Sequence, residues 1–166
     1  IGVGTSSAGW SDAISAVPLE MYRFYGEKRD LKQAYEAAKR FVDFNVKRAG
    51  KRHPLHLFRR GEHQKYILDT GFHYGEWLEP GDSNITGGLK AMVYPDDEVA
   101  TAWFYYSASH VAKMAKILNR EADNAYYEAL AEKIRSAYRK QFLPAVFSGV
   151  KRQCKYVRPI YMGLAD

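Results

Sequence analysis

The chain has 166 residues, 46% of them hydrophobic, enough for one ordinary globular core. It has no run of 18 or more apolar residues of the kind that spans a bilayer, so the reading has no membrane partner. A net charge of +6 raises nucleic acid as a partner. However, the clusters Lys47-Arg48, Lys51-Arg52, Arg59-Arg60 and Lys151-Arg152 accompany no helix-turn-helix, RRM or zinc-finger pattern, which favours solvated faces over nucleic-acid binding.

The opening "IGVGTSSAGW" lacks the basic stretch and apolar core of a signal peptide. It also lacks an initiator Met, and "YVRPIYMGLAD" stops within what reads as an apolar helix, so the expectation is an excerpt of a longer protein. Location is left open, with a slight lean to the cytoplasm. The single cysteine, Cys154, excludes an intrachain disulfide and a multi-cysteine metal site; it reads as a small apolar side chain.

From Asp12 to Tyr25, apolar residues recur at Ile14, Val17, Met21, Phe24 and Tyr25, the spacing of a helix, with Pro18 in its first turn or kinking it and Gly26 ending it. Asp30 and Gln33 have the spacing of a capping box for a second helix, with the stripe Leu31, Ala34, Tyr35, Ala38, Phe41 and Val42 closed by Gly50. So short a link predicts an antiparallel hairpin over 12–49. Residues 50–94 hold four of the five histidines and many glycines without periodicity, and read as one long loop of the functional kind. Pro95 and the acids Asp96, Asp97 and Glu98 suit the start of a third helix, with Val99, Trp103, Tyr106, Val111, Met114, Ile117 and Leu118 along its stripe. A fourth follows, turning Tyr127, Leu130, Ile134, Ala137, Tyr138 and Phe142 inward, to complete a hairpin over 95–142. Residues 156–166 read as the start of a third hairpin.

No segment reads as a strand, so the fold class is all-α: one segment, incomplete as a domain. Stacked helical hairpins occur in solenoids, bundles and toroids. A solenoid keeps a fixed period, which the long insertion breaks, and a ring with its loops at one end tolerates that insertion best.

Two places carry chemistry. In "AGWSDA", Trp10 and Asp12 stand at the mouth of the first helix; the plain reading is that Asp12 caps it and Trp10 staples it. In "GEWLEPGD", Glu76 and Trp77 share a turn with Glu79 and Asp82, and the plain reading is a turn with one packed indole. Together, two acid–Trp pairs at loop–helix junctions suit carbohydrate, since sugar C–H groups stack on indole and hydroxyls donate to carboxylates. Other motifs fail. "IGVGTSS" lacks a third glycine and a preceding strand, and "GWS" lacks the frame of a nucleophile elbow. His53, His56, His63 and His73 lie in a loop with no HExxH, so neither metal nor cofactor is expected.

The stretch "GWSDAISAVPLEMYRFYGEKRDLKQAYEAAKRFVDF" resembles the segment of bacterial α-L-rhamnosidases, glycoside hydrolase family 78, that reads GW-x-D-A followed by P-x-x-x-Y-x-x-Y-G. "YGEWLEPGD" is similar to that family's G-D-W-L turn, with Glu76 in place of the usual Asp, and "RQCKYVRPIYMGLA" to its later inner-helix segment. The resemblance implies an (α/α)6 barrel, six hairpins in a ring, and inverting hydrolysis of terminal α-L-rhamnose. In that mechanism an acid and a base stand roughly 6.5–9.5 Å apart. It also implies that Asp12 is a supporting carboxylate accepting from rhamnose hydroxyls, that Trp10 and Trp77 wall the subsite, and that Glu76 takes the motif acid's position. The family's general acid lies a few residues before GW-x-D, where "IGVGTSSA" holds no acid, and its base lies beyond Asp166, so this segment alone is expected to be inactive. Another six-hairpin glycosidase acting on glucosides or uronides stays open as an alternative. A uronide enzyme would need a free cation such as Arg59, Arg60 or Arg158. A helical-repeat binding protein stays open as well.

Overall fold

The computed structural model describes residues 7–71, 73–75, 96–146 and 152–165. Helix α1 (Ala13–Tyr25) runs through Pro18, and Gly26 ends it in the left-handed region, its N–H reaching the Tyr22 carbonyl at 2.8 Å. Helix α2 (Lys28–Ala49) buries Leu31, Tyr35, Ala38, Val42, Asn45 and Ala49, one stripe at alternating steps of four and three. It starts earlier than the Asp30–Gln33 pattern predicts. Glu27 is the extended residue before it, and Asp30 sits inside the first turn, where its charge still favours the helix N-terminus. Lys28 and Arg29 are good helix formers and take the helix past the expected cap, so no capping box forms.

The connection after α2 is more ordered than expected. It contains short 3-10 turns at Pro54–His56 and Glu62–Tyr66. Ile67 and Leu68 follow, fully buried, with the Leu68 amide donating to Thr101 Oγ1 at 3.0 Å. Helix α3 (Asp97–Ile117) starts at Asp96, whose Oδ1 accepts from the Val99 amide at 3.3 Å. Helix α4 (Glu121–Gln141) buries Tyr127, Leu130, Ile134, Ala137 and Tyr138, and Phe142 after it, as the stripe predicts. A short α5 (Leu143–Val146) and helix α6 (Gln153–Tyr161) follow. The last helix both begins and ends earlier than the expected 156–166 span. Gly163 takes φ 71°, and the Leu164 amide turns back to the Pro159 carbonyl at 2.7 Å, a glycine stop.

The cross-links between helices define two layers. Ser107 of α3 lies beside Asp12 and Ser15 at the start of α1, and Lys28, just past the end of α1, reaches the carbonyl of Ile117 at the end of α3. These helices are therefore parallel neighbours. Arg158 of α6 meets Glu98 in the first turn of α3, which extends the same layer. In the second layer, Tyr35 and Lys39 of α2 bond Asp123 of α4, while Asp43 accepts from Tyr127 at 2.6 Å. Successive hairpins thus place one helix in each of two parallel layers, the repeat of an α/α toroid. Helix α3, flanked on three sides, is buried around most of its circumference, and small residues at Ala100, Ala102, Ala108, Ala112 and Ala115 permit that close approach. No strand is present among the described residues.

Candidate functional site

The segment Ser7–Asp12 turns into α1 alongside α3. Gly9, at φ 86°, lies so close to Trp103 that an added Cβ would be 3.2 Å from its Nε1. Asp12 stands at the cap position, yet its carboxylate does not cap the helix. It turns back instead: Oδ2 accepts the Gly9 amide at 2.7 Å and Oδ1 accepts the Ser107 hydroxyl at 2.6 Å. Only 1% of the residue is exposed. Burial raises its carboxyl to about 6, although Ser107 and the Gly9 amide favour the charged form.

Trp10 does not staple the helix. It is 64% exposed and leans on Tyr74, ring centroids 5.2 Å apart at 49°. The turn between Ala8 and Trp10 is tied down a second time, because the buried His73 ring accepts the Ala8 amide at Nδ1, 3.0 Å away. That bond fixes the tautomer: Nε2 carries the proton and donates to the Thr70 carbonyl at 3.1 Å. Burial first, and then the nearby Arg48 cation, lower His73 to about 4, so the ring is neutral at pH 7. Arg48 crosses from α2 to donate to the same carbonyl. It passes so close to Gly71 (φ 88°) that a Cβ there would be 1.4 Å from its Nη2.

Of the sequence-derived site residues, the structure therefore brings Trp10 and Asp12 to one turn, the indole outward and the carboxylate inward. Glu76 and Trp77 lie outside the described residues, as do Glu79 and Asp82. The four loop histidines fall in three local structures, with the His53 and His56 rings 5.6 Å apart and both residues bonded to Asp69. His73 holds Ala8, and His56 faces Asp69 at 3.1 Å. His53 accepts from the Leu55 amide, and His63 meets Gln141 at 3.2 Å.

Sequence reasoning missed Ser107, Tyr74 and the Glu98–Arg158 pair. Glu98 reads as one of three acids suited to a helix N-terminus; it lies there, and is also buried, accepting from Tyr138 and Arg158. Burial lifts its carboxyl to about 7 and lowers Arg158 to about 10, which leaves the guanidinium charged at neutral pH. Ser107 did leave a signal: a hydroxyl between Phe104 and Val111 on an apolar stripe must find a buried partner. A separate groove of about 610 Å³ lies further along α1 and α3, between Glu20, Arg23, Tyr106, His110, Lys113 and Tyr161.

Paired parallel layers, with an aromatic-bearing turn where a loop enters α1, define part of an all-α six-hairpin toroid. The chain belongs to the family of the bacterial α-L-rhamnosidase six-hairpin glycosidase domain, whose model matches residues 1–166. An α-L-rhamnosidase of Streptomyces avermitilis is 28% identical over 85% of this chain and 11% of its own length. One from Formosa agariphila is 27% identical over 84% of the chain and 13% of its own length. The solved α-L-rhamnosidase of Dictyoglumus thermophilum superposes with TM-score 0.72 and 29% identity, over 97% of this chain and 16% of that one. The Streptomyces avermitilis enzyme, solved with L-rhamnose, superposes at TM-score 0.68 and 27% identity, over 96% of this chain and 13% of its own. The chain thus spans under a sixth of these curated relatives.

Proposed function

We propose that this segment is an incomplete part of an (α/α)6 catalytic barrel and supplies part of its sugar-holding wall, in a protein that hydrolyses terminal α-L-rhamnose with inversion. The observation that carries the reading is Trp10: a solvent-facing indole beside Tyr74, on a turn held rigid by buried groups. A rigid indole at the mouth of a ring can cover the C–H face and C6 methyl of a deoxysugar. Similarity to α-L-rhamnosidases over nearly the whole chain supports the same substrate class.

In this reading Asp12 acts as a supporting carboxylate through the turn it holds, its buried negative charge also favouring an oxocarbenium-like transition state. Trp77 and Glu76 complete the wall. The general acid that protonates the leaving oxygen and the base that activates water come from the rest of the protein. Two of the three cations that a uronide enzyme could use are already engaged, Arg59 with Asp97 and Arg158 with Glu98, which leaves that alternative to Arg60.

The test is an assay of the full-length protein beside this segment on aryl α-L-rhamnoside, α-D-glucoside and an unsaturated uronide. Release from the rhamnoside by the full-length protein alone is the expected result. Release from another sugar would keep the barrel and discard the rhamnose assignment, and no release from any would favour a carbohydrate-binding role.

A further inference from the structure

Trp10 is exposed, yet nothing in its own side chain fixes where it points. Two buried groups from distant elements hold the turn that carries it, at the two amides just before it. From one side, Ser107 on α3 orients the Asp12 carboxylate, whose other oxygen grips the Gly9 amide. From the other, His73 grips the Ala8 amide and is itself fixed by the Thr70 carbonyl. The residue after His73 is Tyr74, the ring that Trp10 leans on, and its amide donates to Ser7 Oγ at 3.2 Å. His73 therefore sets both members of the aromatic pair, and Ser107 sets one.

We propose that His73 and Ser107 are positioning residues for the Trp10–Tyr74 aromatic wall, acting on sugar binding without touching the sugar. The inference rests on the reading of that wall as a sugar surface. Neither residue is accessible to a ligand, since each is buried to the last per cent. Ser15 provides the internal control. It is as buried as Ser107 and lies 3.2 Å from it, but its hydroxyl donates to the Asp12 backbone carbonyl and not to the carboxylate.

The experiment uses the full-length protein, labelled with 5-fluorotryptophan, with the Trp10 resonance assigned from a Trp10→Phe variant. Aryl α-L-rhamnoside kinetics and the thermal midpoint are measured alongside. Ser107→Ala and His73→Phe should move or broaden the Trp10 resonance and raise KM roughly tenfold, as expected for losing a hydrogen bond at or beside a charge. Ser107→Ala should add nothing to KM in a Trp10→Ala background, since both changes remove the same platform. Ser15→Ala should lower the midpoint alone. His73→Asn, which can still offer an acceptor to Ala8, should restore most of the loss, and Ser107→Cys serves if Ser107→Ala does not fold. Ser107 and His73 variants that lower the midpoint while leaving KM and the Trp10 resonance unchanged would overturn the proposal. If the wild-type protein cleaves no rhamnoside, the substrate reading fails by itself and the fluorine resonance still decides this one.

Discussion

Glu98, in the first turn of α3, and Arg158, in α6, form an ion pair with only 9% and 8% of the two side chains exposed. Tyr138 of α4 donates to the other Glu98 oxygen, so a single carboxylate joins three helices. Desolvating two charges is expensive, and the pair is tolerated because each has a bonded partner. Removing one partner leaves the other stranded. Arg158→Met should therefore cost about 3 kcal/mol in denaturant unfolding of the full-length protein. Glu98→Gln with Arg158→Met should cost clearly less than the sum of the two, and additive losses would deny the coupling.

Trp10→Ala should separate binding from stability. The indole is mostly in solvent, so its loss should shift the thermal midpoint little, while KM for an aryl α-L-rhamnoside rises about tenfold with loss of one stacking face. A large fall in the midpoint with unchanged KM would make Trp10 a structural side chain.

Asp12 and His73 should give opposite pH slopes. Asp12 has its folded-state value raised from 3.8 to about 6, so its contribution to stability is full below pH 3.8 and lost as pH rises through 6, roughly 3 kcal/mol in all. His73 is lowered from 6.5 to about 4, so its contribution is full above 6.5 and lost as pH falls through 4. Asp12→Asn should leave the histidine slope unopposed, and stability should then rise more steeply between pH 4 and 6.5 than in the wild type. Thermal midpoints taken across that range read the difference directly. In the whole protein Asp12→Asn should also cut turnover, and unchanged kinetics would remove Asp12 from the site.

Gly71→Ala should destabilise by about 2 kcal/mol, from left-handed backbone strain plus displacement of Arg48 from the Thr70 carbonyl. Gly50→Ala is the contrast. Gly50 has ordinary helical backbone angles, and no atom lies closer than 3.7 Å to the added Cβ, so its midpoint should hardly move. Equal effects at the two sites would remove the special role of the Gly71 turn.

Much of the helix pattern was legible in the residues. The stripe Leu31, Tyr35, Ala38, Val42 and the stripe Tyr127, Leu130, Ile134, Tyr138 are buried as their spacing predicts, because helical period alone puts them on one face. Ends were less legible. Asp30 looked like a cap, but Lys28 and Arg29 are equally content in a helix, and a local cap signal competes weakly with continued hydrogen bonding. The last helix stops at Gly163, a glycine the pattern ran through.

The candidate site divided differently. That Trp10 and Asp12 share one turn is written in the order of residues, since both lie within a single loop–helix junction. Which of them faces outward is not, because it depends on Ser107 of α3 and His73 of the loop, groups far along the chain. Local propensity and periodicity act over a few residues and are readable in the sequence. The inward turn of the Asp12 carboxylate, the neutral His73 ring and the burial of Glu98 against Arg158 arise only when separate helices pack. There, desolvation forces each polar group to find the one partner the fold brings within reach.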